Sequence, residues 1–392
     1  MVTGRLRQNV VSTFGKQISR SFECEVLSLR ISASTGEYIS PQSLRRFFGF
    51  LDTDFNPSIN SLNILSRYCG YFDLDDFASR TRRQAYEPLT THEEMTLYLE
   101  FYHLQLQDEQ DINFHNACRI ISTRILKNPA LLDGLSKPLA QNPVSQIYFY
   151  ERFPFIDGLC CGYERSIKLY LQHKKSEEAQ VFGLCLLTLG AFLSQDYKLL
   201  DIAFTKLSRY SLQENWHPFL IGRFIGSHLL FHHAMDQEEA KLAWLEQANH
   251  YGSHFASMSR IRYWKFPYFQ FMVCDYLNLV REYQLSYKLL LPFRSVKLNE
   301  VTVEEGYWEA LLIIMHVCSS GLSRMERSHK VPQESDLNKL GIAFKNYFTI
   351  QYIFACLQLP PRKSAKKKKE MLQRADLLVR QTGFIHFREL II

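Results

Sequence analysis

Glycine and proline are scarce in this chain, at 17 and 13 of 392 residues. That excludes a fold built from many tight turns, which draw on both residues. Cysteine is odd in number, nine, and no two stand in a CxxC pair. A disulfide-stapled module and a Cys-rich zinc site are excluded on that ground. Cys160 and Cys161 are adjacent, and neighbours rarely bridge because the geometry is strained. Most of the others sit among apolar residues, as Cys185 and Cys318 do, and read as small buried hydrophobes of a reducing compartment. The longest apolar run, Val181 to Leu193, is too short to span a bilayer, and no apolar stretch follows Arg5 and Arg7 as a leader would require. The expectation is a cytoplasmic protein without membrane contact. A Gly-rich phosphate loop, GxSxG and HExxH are all missing. Carboxylate pairs such as Asp75-Asp76, Glu93-Glu94 and Glu304-Glu305 fall at helix starts, where they complement the helix dipole. No enzyme, no cofactor and no catalytic or metal-binding residue is therefore expected.

What the chain does have is aromatic bulk, with 29 Phe and 21 Tyr, suited to wedging rings between helices. Its net charge of +6 is uneven: +3 over residues 1–83, −3 over 84–359 and +6 over 360–392. Basic ends on a near-neutral middle suit contact with a polyanion, and equally suit solvated termini. Three regions follow: 1–85, 86–360 and a basic segment, 361–392. Residues 1–18 are polar and weakly patterned, and Arg80 to Pro88 reads as a linker.

From Thr91 onward the apolar spacing is helical. Helices are expected in pairs: Glu177–Leu193 with Asp196–Tyr210, Pro218–Ala234 with Gln237–Tyr251, Phe266–Leu279 with Glu282–Leu291, and Glu304–Ser319 with Asp336–Leu357. Successive pairs start about 40 to 50 residues apart, the range of helical-repeat units. Ala203 and Phe204, or Ala240, Trp244 and Ala248, resemble the second helix of tetratricopeptide repeats, although the full signature is absent. Pro360-Pro361 ends the last of these helices, and an amphipathic helix with Met371, Leu372, Leu377, Leu378 and Phe384 follows. The fold class is all-α, with an α-solenoid of tetratricopeptide-like helix pairs as the body. An irregular helical bundle is the alternative.

Leu27 to Phe77 reads as four short helices. The first ends near Thr35-Gly36. Ser40 is a good N-cap and Pro41 a good first residue for the second, which stops near Gly49. Ser58 caps a third, and Asp73 a last short one. On a wheel Leu44, Phe47, Phe48 and Leu51 share a core face, and Gln42, Arg45 and Arg46 lie opposite. This stretch resembles the helix-turn-helix of phage-repressor-like DNA-binding domains. The resemblance covers about fifty residues, and the Gly36–Ser40 connection is about two residues longer than the usual turn. It implies that the helix from Pro41 is a recognition helix, with Gln42, Ser43, Arg45 and Arg46 as DNA-contacting residues. A helix-turn-helix-like head on a helical-repeat body resembles bacterial regulators whose repeats bind a signalling peptide. Duplex DNA, a protein or peptide in the repeat groove, and a second copy of the chain are the partners so implied.

Two further features invite chemistry. His228 and His232 lie one turn apart, a metal-ligand spacing, but their apolar neighbours point to packed imidazoles. Arg362, Lys363, Lys366, Lys367, Lys368 and Lys369 form a basic run that reads as an accessory phosphate contact or as a solvated face. The expected function is a DNA-binding regulator. Its rival is a helical-repeat scaffold for protein partners with no nucleic-acid role.

Overall fold

The computed structural model is described for residues 2–51, 57–78, 89–104, 111–259, 266–293, 306–322, 332–358 and 364–390. Among the described residues every regular element is helical, and no helix is long and apolar enough to cross a membrane. The chain divides into two units, residues 1–90 and 91–392. The expected linker and the boundary after residue 85 fall within 79–88, outside the described residues.

The first unit is a helical head: α1 (Val2–Phe14), α2 (Glu23–Thr35), α3 (Pro41–Phe48) and α4 (Ile59–Tyr68), with a further turn after Asp73. The weakly patterned N-terminus is helical because Leu6, Val10 and Phe14 recur every four residues and are all buried. They pack with Leu27, Ile31, Leu44, Phe47, Ile64 and Leu65. Ser40 and Ser58 cap α3 and α4 as expected, each accepting from the N–H three residues on. Gly36 and Gly49 close α2 and α3 at φ of 72° and 80°, a conformation that favours glycine. The longer α2–α3 connection is pinned from within, since the buried Ser28 hydroxyl donates to the Ile39 carbonyl at 2.5 Å.

In the second unit, α5 (Thr91–Tyr102), α6 (Ile112–Lys127) and α7 (Pro129–Gln141) lead through a π-helical turn, Gln146–Glu151, to α8 (Tyr163–His173). Then come α9 (Glu177–Leu193), α10 (Tyr197–Leu207), α11 (Pro218–Ala234), α12 (Glu238–Ser259), α13 (Tyr268–Leu279), α14 (Tyr283–Leu290) and α15 (Tyr307–Gly321). Each of α9, α11 and α13 packs on the helix that follows it, and α9, α11, α13 and α15 also touch one another in succession. The small residues of α11 allow this approach: a Cβ on Gly226 would meet the Tyr276 ring of α13. The apolar run Val181–Leu193 is buried throughout, which removes the need for a polar face.

The turns between paired helices repeat one geometry. Gln195, Asp236 and Arg281 adopt positive φ of 55°, 52° and 62°. In each case the next N–H donates to the carbonyl five residues back: Asp196 to Ala191, Gln237 to His232 and Glu282 to Leu277, all at 2.9 Å. This is the left-handed helix stop normally made with glycine.

The expected helix Asp336–Leu357 is instead a 3-10 turn, Glu334–Lys339, followed by α16 (Lys345–Gln358), which packs on α15. The last helix, α17 (Ala365–Thr382), packs on α16 within the second unit through Ala375 and Val379. Leu377, expected on its apolar face, is exposed. Neighbouring elements cover the inner helices: the Tyr347 hydroxyl and the Gln351 amide of α16 donate to Asp275 of α13 at 2.9 and 2.8 Å. His386 rests on Phe192 of α9, with ring centres 4.6 Å apart.

Candidate functional site

The head brings its proposed contacts together on α3. Gln42 is exposed there, but Ser43 spends its N–H on the Ser40 hydroxyl at 3.1 Å. Arg45 and Arg46 are half-buried rather than fully exposed. Arg45 pairs with Glu25 of α2 at 2.6 Å and donates to the Ser21 carbonyl at 3.3 Å. A helical wheel sets Arg45 opposite the core face but carries no information about a carboxylate on the neighbouring helix. Phe48 is half-buried and Leu51 exposed, because Gly49 ends the helix and the wheel with it. Two other head cations are paired likewise: Arg67 with Glu37 at 2.7 Å, and Lys16 with Glu23 at 3.0 Å. Backbone N–H groups of Arg20 and Ser19, then Lys16, hold the Glu23 carboxyl down to about 2. Phe22, Val26 and Leu29 form an exposed apolar stripe along α2.

In the basic segment Lys366, Lys367, Lys368 and Lys369 are all exposed, on the first turns of α17. Two of them spend their backbone N–H groups on starting that helix. The Lys367 N–H donates to the capping Ser364 hydroxyl at 3.3 Å, and the Lys368 N–H to the Ser364 carbonyl at 3.0 Å. Their ammonium groups therefore stand at the positive end of the helix dipole, where cations are disfavoured rather than stabilised. Arg362 and Lys363 lie outside the described residues.

His228 is buried and stacked on Trp244, with ring centres 3.8 Å apart, and neither ring nitrogen has a hydrogen-bond partner. Burial, then the nearby His232, pushes its pKa down to about 3, so the ring is neutral. His232 turns to the Gln237 amide oxygen at 2.7 Å. Among the described residues no group of three His, Cys, Asp or Glu could hold a metal ion.

A wide recess in the second unit lies elsewhere. A cleft of about 630 Å³ is lined by Arg152, Lys174, Ser176, His217, Phe219 and Tyr268 among others, with Phe182 and Tyr307 completing its aromatic walls. These residues come from the ends of the π-helical turn and of α8 and from the starts of α9, α11, α13 and α15. A neighbouring recess of about 250 Å³ shares Arg152 and Tyr307 with it. Arg152 lies over the Tyr148 ring at 5.0 Å and donates to His115 Nδ1 at 3.2 Å. Burial, then the Arg152 charge, lowers the His115 pKa and keeps that ring an acceptor. Lys174 and the Tyr170 hydroxyl both bind Glu151. Behind Phe182 and Phe219 stands Arg223, its guanidinium carbon 5.5 and 5.1 Å from their ring centres. It is 2% exposed, and its Nε has no partner.

Sequence reasoning missed this cleft because its residues are scattered along the chain from Ile147 to Tyr307. One signal was available: most lie within three residues of a helix start. No family model, curated protein or solved structure matches the chain.

Proposed function

We propose that the chain is a non-catalytic regulator whose head contacts duplex DNA through α3 and whose body is a helical-repeat array that receives a partner. The observation that carries the DNA reading is the division of α3. Leu44 and Phe47 anchor it in the head core, while Gln42 is exposed and Arg45 and Arg46 are half-buried. Arg and Gln suit phosphate and base edges. The Arg45–Glu25 pair does not bar the contact, since a surface ion pair is worth only about 0–1 kcal/mol. The repeat reading rests on the three identical helix stops and on the successive contacts of α9, α11, α13 and α15. The exposed run of Lys366, Lys367, Lys368 and Lys369 would add phosphate contacts without sequence preference.

A second reading, a protein scaffold, is favoured by the exposed Phe22, Val26 and Leu29 stripe, which also offers a surface for a second copy of the chain. Gel shifts on genomic fragments over a range of salt separate the two. The DNA reading expects salt-dependent binding, weakened in Arg45→Ala/Arg46→Ala by about 1–3 kcal/mol for each base-edge interaction removed. Unchanged affinity in the folded double variant, or no wild-type binding at low salt, returns the head to the scaffold reading.

A further inference from the structure

We propose that the cleft at the helix starts binds a small anionic ligand: a phosphate or carboxylate carried on a flat aromatic body. The inference rests on the second unit alone and is independent of any DNA contact by the head.

Four helices, α9, α11, α13 and α15, begin at this cleft, since Ser176, His217, Tyr268 and Tyr307 all line it. Each helix start carries about half a positive charge and unsatisfied N–H groups, so four together favour an anion. Three of the four have no side-chain cap: Ser176, Pro267 and Gly306 at the N-cap positions make no such hydrogen bond. At the fourth, His217 Nδ1 accepts from the Phe219 N–H at 3.2 Å.

The charged side chains of the lining are two cations, Arg152 and Lys174, and two carboxylates, Glu151 and Glu178. Arg152 forms no ion pair among the described residues, while Glu151 beside it is taken by Lys174. Glu178 lines the cleft too, and is exposed. The second and independent sign is Arg223. A buried guanidinium is costly unless an anion compensates it. None pairs with Arg223 among the described residues; its one hydrogen bond is a long one, 3.4 Å, to the Tyr276 hydroxyl. It borders a chamber of about 30 Å³ that shares Phe219 and Tyr307 with the cleft. Asp275 borders that chamber as well: its oxygens accept from Tyr347 and Gln351, and its carboxyl feels the Arg223 charge without forming an ion pair with it. The Arg223 charge therefore stands one ring behind the cleft, where low dielectric strengthens its pull on an anion.

The walls define the rest of the ligand. Phe219 and Tyr307 lie nearly parallel, their planes 11° apart, and Tyr268 meets Phe219 edge-on. Such rings accept a flat aromatic body. The volume of about 630 Å³ suits a ligand of nucleotide size.

Calorimetric titration of the full chain tests this with four probes: AMP, 2-naphthoate, adenosine and inorganic phosphate. AMP and 2-naphthoate separate a phosphate from a carboxylate source. The expected result is that at least one of these two binds. AMP, where it binds, should bind about tenfold or more tightly than adenosine or inorganic phosphate. Arg152→Ala should weaken the binding probe by about ten- to a hundredfold with an unchanged circular dichroism spectrum, and Arg152→Lys should recover part of the loss. Should Arg152→Ala fail to fold, Tyr268→Ala replaces it, with a loss of about tenfold expected for the aromatic probe. The proposal is overturned if neither anionic aromatic probe binds up to about 5 mM. Adenosine binding as tightly as AMP, or a folded variant retaining full affinity, overturns it equally.

Discussion

In α3 only Leu44 and Phe47 of eight residues are buried, whereas in α13 every residue from Phe269 to Leu279 is. The head is small, and a small unit covers less of its own surface. Its helices stay two-faced, three of its cations (Lys16, Arg45 and Arg67) lie in ion pairs, and Phe22, Val26, Leu29 and Phe72 remain outside. The body encloses whole helices, and several of their polar side chains find partners inside. Gln270 donates to the Gly252 carbonyl and Asn278 to the Ile314 carbonyl, both at 3.0 Å. Asp157 accepts from the N–H groups of Asn346 and Tyr347 at the start of α16, at 2.7 and 2.9 Å. A buried polar group left unpaired costs about 1–3 kcal/mol, so these bonds specify how the helices dock.

The largest effect should come from the thinner core. Leu44→Ala is expected to remove about 2–5 kcal/mol from the head. Leu229→Ala, equally buried in α11, should cost a similar amount out of a larger total. A melt followed by proteolysis should show residues 1–90 cut first in the Leu44 variant and no separate early cleavage in the Leu229 variant. Simultaneous unfolding of both units in both variants would erase the distinction.

Acid should act with opposite sign through Asp157 of the body and Glu23 of the head. Burial raises Asp157 from 3.8 to about 7, so the folded body binds that proton more tightly than the unfolded chain does. Its contribution to stability is full below about pH 4 and is lost as pH rises towards 7, by up to a few kcal/mol. Glu23 in the head is lowered from 4.5 to about 2. Its contribution is present above about pH 4.5 and is lost as pH falls towards 2. Denaturant midpoints for wild type and Asp157→Asn from pH 4 to 8 check the body: the variant should lose the Asp157 share of the pH dependence, leaving that of Asp275, which burial raises from 3.8 to about 6, and of His228, which is lowered and acts with the opposite sign. A decline of the same size in both would assign it to other groups.

Close packing gives the next effect. Gly226→Val would drive its side chain into the Tyr276 ring, at an expected cost of about 1–3 kcal/mol in urea unfolding. No comparable obstacle stands over Gly36 or Gly49 in the head, where strain would come from φ alone. The smallest effect should be a gain. Arg281→Gly relieves a left-handed residue at a helix stop and should stabilise the body by about 0.5–1 kcal/mol. Gln195→Gly should do the same; destabilisation in both variants would show that the side chains matter more than the turn.

Much of the body was legible because apolar spacing reports helices directly. Glu177–Leu193 and Pro218–Ala234 have the expected ends, and the serine caps of α3 and α4 follow from local hydrogen bonding. The helical start was missed because polar residues separate Leu6, Val10 and Phe14. The turn shared by three helix pairs was hidden too, since Gln195, Asp236 and Arg281 share a conformation but no residue type. The candidate DNA face was legible only as a set of residue types on one helix. Whether Arg45 is available depends on Glu25, twenty positions away on α2.

Local sequence thus determined where helices start, stop and turn an apolar side, since capping, periodicity and side-chain size act within a few residues. Tertiary structure alone decided which helices lose every solvent face and which element covers them. It also gathered four helix starts and Arg152 around one cleft. Those outcomes depend on contacts between residues far apart in the chain, and a periodic pattern says which side of a helix is apolar but not what will lie against it.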